Sequence, residues 1–94
     1  MVENGVVIYE GEIIQIDNNE MLMSIVGEFD QNLKHLEKLT STNVFFRGNS
    51  ITCKGKEPNL KEFSEAIKFL ADKYLLTHLI EKGDIVNCFF PSHL

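Results

Sequence analysis

From Leu60 to Tyr74 the apolar residues Leu60, Phe63, Ala66, Ile67, Leu70 and Tyr74 recur at 3.6-residue spacing, with Leu75 as a further candidate. Lys61, Glu62, Glu65, Lys68 and Asp72 fall elsewhere on the same wheel. A helix with one dry side gains most of its stability by covering another element. Directly upstream, VFFRGNSITCKG reads as two strands around Arg47-Gly48-Asn49-Ser50, where glycine and asparagine supply the positive φ angles of a tight hairpin. Lys56-Glu57-Pro58 marks the helix entry, since proline is tolerated where no intrahelical amide is needed. The second half of the chain is therefore a hairpin with a long helix laid across it.

The first half supplies the rest of such a layer. Glu12 to Asp17 is expected to be the first strand, and Asp17-Asn18-Asn19-Glu20 reads as a helix start, followed by Met21, Leu22 and Ile25 at helical spacing. Gly27 interrupts that helix. Asp30 is expected to cap a second one, with Leu33, Leu36 and Leu39 as its apolar stripe and Lys34 and Lys38 one turn apart on a neighbouring exposed face. Gly5 to Tyr9 has strand composition but no designated pairing partner. The expected fold is α+β: a βααββα two-layer sandwich, with a three-stranded antiparallel sheet covered on one face by helices.

At 94 residues the chain has room for one such core. Its net charge of −5 gives no global attraction to phosphate backbones or anionic membranes. The charge is unevenly placed, since seven acidic residues precede the first basic one, Lys34, and the remainder carries nine basic against seven acidic side chains. Contact with a nucleic acid would have to come from Lys34 onward. Two distant cysteines, Cys53 and Cys88, predict buried thiols, and no signal segment or membrane-length apolar run is found. A cytoplasmic protein that makes no membrane contact is expected.

Catalytic sets are missing. Gly55-Lys56 is no phosphate-binding loop, because Ser50 stands where its first glycine should be and Glu57 where Ser or Thr should follow the lysine. Cys88 and His93 fall short of the four ligands of structural zinc, so no metal is assigned. His35 and His78 read as surface helix residues, and Glu62 and Glu65 as the wet side of a helix. The chain is not expected to be an enzyme by itself.

The helix, glycine turn, helix unit resembles a KH domain from Glu12 to about Leu75. In that fold a Gly-x-x-Gly loop between the first two helices clamps the backbone of about four nucleotides. Here Gly27-Glu28-Phe29-Asp30 holds that place, with Asp30 for the second glycine and Glu28 where a basic residue would help. More specifically, Leu22 with Gly27-Glu28-Phe29-Asp30-Gln31-Asn32-Leu33, then Leu36-Glu37, Val44-Phe45-Phe46-Arg47-Gly48-Asn49, Ile51 and Gly55, is similar to the N-terminal KH-like domain of bacterial PhoH-like P-loop ATPases.

That resemblance implies a KH-like domain over residues 1–83 and, in 84–94, the start of a linker toward a C-terminal ATPase domain. It implies ATP and magnesium for that other domain, with no cofactor in this chain. It also implies a role in RNA metabolism, with single-stranded RNA, the ATPase domain and an RNA-processing endoribonuclease as partners. The candidate RNA-binding residues are Gly27, then Lys34 and Lys38 on one lip of a groove and Arg47 and Lys54 on the other, with Phe45 or Phe46 free to stack a base. Strand alternation sends one of those two phenylalanines into the core. The alternative is a docking module for the ATPase domain or the nuclease, using the acidic front and Phe89-Phe90.

Overall fold

The computed structural model of the chain describes residues 6–9 and 13–87. Its elements run β1 (Val6–Tyr9), β2 (Ile13–Ile16), α1 (Asn19–Val26), a short 3-10 turn (Glu28–Asp30), α2 (Gln31–Thr40), β3 (Asn43–Arg47), β4 (Ser50–Lys54), α3 (Asn59–Thr77) and α4 (Lys82–Asn87). From β2 to α3 this is the expected βααββα order in an α+β sandwich. All pairings are antiparallel and the strand order is β1-β2-β4-β3. The three expected strands are therefore joined by a fourth, because Val6–Tyr9 pairs with β2 in the register Val6 with Ile16 through Tyr9 with Ile13.

Alternation divides the sheet into two faces. Ile14 and Ile16 of β2 and Ile51 and Cys53 of β4 are buried beneath the helices, with Val44 and Phe46 of β3 packed against them. The same core takes Met21, Leu22, Ile25 and Val26 from α1, Leu33 and Leu36 from α2, and the α3 stripe from Leu60 to Tyr74. Ile13, Phe45, Arg47 and Lys54 lie on the uncovered face.

Several local expectations need correction. Leu39 is 40% exposed, since a residue six places after Leu33 lies well off the stripe; Thr40, at seven places, is buried instead, and its hydroxyl donates to Leu36 O at 2.8 Å. Leu75 is exposed for the same angular reason. In the hairpin only Gly48 takes positive φ, at 61°. Asn49 ties the turn to β2, its carbonyl accepting from Ile16 N at 3.0 Å and its Nδ2 donating to Asp17 Oδ1 at 3.3 Å.

The α3 helix ends at Thr77, with His78 at φ 58° as its left-handed cap and its ring edge-on to Tyr74. Gly83 lies inside α4, and the packed body runs beyond the expected boundary at 83, because Ile85 is fully buried. Asp84, also buried, accepts from Lys73 Nζ at 2.9 Å and from Glu81 N at 2.8 Å. The expected linker from residue 88 onward lies outside the described residues. Among the described residues no helix is long and apolar enough to cross a membrane.

Two measurements check this packing. Leu36→Ala should cost about 2–5 kcal/mol in denaturant unfolding, and Leu39→Ala less than about 1 kcal/mol. Burial pushes the Asp84 carboxyl up, but the Glu81 amide and the Lys73 ammonium outweigh it and hold the group below its ordinary value. The resulting stabilisation is complete above the unfolded carboxyl value of about 3.9 and is lost as pH falls through the lower native one. Asp84→Asn should therefore be less stable than the parent at neutral pH, with the gap closing below about pH 4; a gap unchanged down to pH 2 would refute the assignment.

Candidate nucleic-acid interface

Asn18, not Asp17, caps α1, its Oδ1 accepting from Met21 N at 3.0 Å. The helix stops at Gly27, where φ is 82°. A methyl group on Gly27 would come to 2.7 Å from Asn32 Cγ and Nδ2, so the absence of a side chain is what lets α2 fold back so closely. Asn32 fastens the turn by donating from Nδ2 to Ser24 O at 3.2 Å. Inside the turn Asp30 N donates to Gly27 O at 3.2 Å.

Asp30 does not act as the expected side-chain cap: its backbone is left-handed at φ 61°, and no capping hydrogen bond forms. Phe29, immediately before it, is left-handed too, at φ 55°. Left-handed backbone costs an L-residue about 1–2 kcal/mol, less for aspartate than for phenylalanine. The phenyl ring recovers little of this through packing, being 82% exposed, with Glu28 and Asp30 as its chain neighbours.

Beside this turn a cleft of about 100 Å³ runs between α2 and β3, lined by Asp30, Leu33, Lys34, Glu37, Val44 and Phe46. Since β3 is an edge strand, alternate residues present their backbone groups to the open side, and these are Val44 and Phe46. Val44 N donates to Glu37 Oε2 at 2.8 Å, which sets a carboxylate into the middle of the cleft. A second, larger hollow of about 370 Å³ lies between α2 and α4, lined by Gln31, Asn32, Lys34, His35, Lys38 and Lys82.

The candidate residues are thus distributed over four places. Gly27 forms the turn and Lys34 stands on the ridge between the two hollows. Lys38 belongs to the α2–α4 side. Arg47 and Lys54 are exposed at opposite ends of the uncovered sheet face, near Phe45, which is 58% exposed. Phe46 is the inward member of the phenylalanine pair and packs against the core. Two lips of a single groove are not what these four basic residues form; the reason is the two-residue period of the strand, which turns Arg47 and Lys54 away from α2.

Sequence reasoning overlooked two residues of this region. Phe29 fits neither helical stripe and stands between two acids, which is the pattern of a displayed rather than a core aromatic. Glu37 stands four places after Leu33, on the buried side of α2, where a carboxylate needs a donor. Among the described residues no group of three or more His, Cys, Asp or Glu could hold a metal ion; Cys88 and His93 lie outside them. No protein family, no curated protein and no solved structure matches this chain.

Phe29→Gly should raise stability by about 1 kcal/mol in thermal or denaturant unfolding, since it relieves the left-handed strain and removes little packing. A loss of stability would mean that the exposed ring supports the turn.

Proposed function

We propose that this domain is the RNA-contacting accessory domain of a PhoH-like P-loop ATPase, holding a single strand weakly while a separate domain handles ATP and magnesium. The observation that carries this reading is the cleft between α2 and the open edge of β3, next to the Gly27–Asp30 turn. In a KH domain the corresponding arrangement guides a short single strand past a glycine turn. The β3 edge offers backbone groups of Phe46 to bases, and Lys34 offers a charge to phosphate.

The same geometry sets the strength. Glu28, Asp30 and Glu37 surround the path with carboxylates, so a phosphate at the turn meets repulsion where a KH loop with two glycines offers amides. Binding is accordingly weak and steeply salt-dependent, with a log–log slope of about −0.7 for each phosphate neutralised. Recruitment of an RNA-processing endoribonuclease in the cytoplasm belongs to the same proposal.

A second reading, a docking module for the ATPase domain or the nuclease, is favoured by Phe29, an exposed ring held on strained backbone between two acids. Exposed aromatic anchors of this kind are typical of protein contacts.

Fluorescence anisotropy of a labelled ten-nucleotide RNA at two salt concentrations separates the two. The RNA reading expects binding at low salt, weakened several-fold by Lys34→Ala and strengthened by Glu28→Lys with Asp30→Gly. Absence of binding in both the parent and that double variant would overturn it and leave the docking reading.

A further inference from the structure

The hollow between α2 and α4 is a site in its own right. Gln31, Lys34, His35 and Lys38 recur at i, i+3, i+4 and i+7, so one whole face of α2 lines it, and Lys82 closes it from α4. Three lysines and a histidine therefore line one opening, with no carboxylate among the described lining residues. On a chain of net charge −5 such a concentration is unusual. Like charges one turn apart on a helix repel each other, so Lys34 and Lys38 weaken α2 unless an anion lies between them.

Two of the nearby acids are engaged elsewhere. Glu37 accepts from Val44 N on the β3 side, and Asp84 accepts from Lys73 and from the Glu81 amide. None of the three lysines makes an ion pair with a described carboxylate. The volume of about 370 Å³ falls in the range of small-ligand pockets.

From these features we infer that the α2–α4 hollow binds the diphosphate group of a small molecule. Two linked phosphoryl groups carry about three negative charges at neutral pH, which matches the three lysines better than a single phosphate does. This goes beyond the RNA reading, since Lys38 and Lys82 line this hollow and not the β3 cleft.

Titration of the 94-residue chain with inorganic pyrophosphate at low salt, followed by amide chemical shifts, tests it. The expected result is saturable shifts at Gln31, Asn32, His35, Lys38 and Lys82, with inorganic phosphate needing at least ten times the concentration. Lys38→Gln with Lys82→Gln should weaken pyrophosphate binding at least tenfold, and Lys61→Gln, on the exposed side of α3, should leave it unchanged. Shifts scattered over all lysines, or an unaffected double variant, would overturn the proposal. So would the same shifts at Lys38 and Lys82 on adding equimolar short RNA in place of pyrophosphate, which would give the hollow to RNA phosphates. Failure of the RNA reading alone would leave pyrophosphate binding, and its loss in the double variant, intact.

Discussion

Burial of one side of α3 is the constraint on which the other elements depend. Phe63, Ile67 and Leu70 are fully enclosed, and no single neighbour could enclose them: β4 lies under one part of the stripe, α1 and α2 flank the rest, and α4 packs near its end. Each of those elements in turn hides its own apolar side against α3. Among the described residues the arrangement leaves one sheet face, the β3 edge and the outer surfaces of the helices open to contact. It also means that the Gly27 turn is under tension from both ends, because α1 and α2 must both reach α3 while being joined by four residues.

That tension accounts for the unusual backbone between the helices. A gentler connection would move α2 away from α1 and uncover Leu33 and Leu36. The chain instead accepts two left-handed residues and a glycine with no space for a side chain, held by one amide group from Asn32. Strain of this kind is commonly retained where a loop has a task, and here it holds an aromatic ring in solvent.

How far the sequence revealed this depended on period. Where apolar residues kept step with a helix or a strand, as from Leu60 to Tyr74 or around Arg47-Gly48-Asn49-Ser50, element type and order could be read directly. Angular detail was less visible: Leu39 looked like a stripe member although its neighbour Thr40, a polar residue whose hydroxyl bonds to its own helix, takes the buried position. The α4 helix was hidden because the burial of Ile85 and the ion pair of Asp84 with Lys73 come from across the fold. Within the candidate site, the glycine turn and the basic residues were legible as residues but not as places. Which face Arg47 and Lys54 share, and that Lys38 looks toward α4, follow from register and helix rotation that no local motif encodes.

The bond from Val44 N to Glu37 has a further meaning for the molecule's behaviour at high concentration. An edge strand with open amides is a template onto which a strand of another copy can add, the first step toward polymers. A newcomer at β3 would have to expel a negatively charged side chain from its hydrogen bond and then lie beside it, on a surface already crowded with acids. The carboxylate that weakens the cleft for phosphate thus also guards the β3 edge against self-association. Replacing it to improve affinity for an anion would remove that guard at the same time.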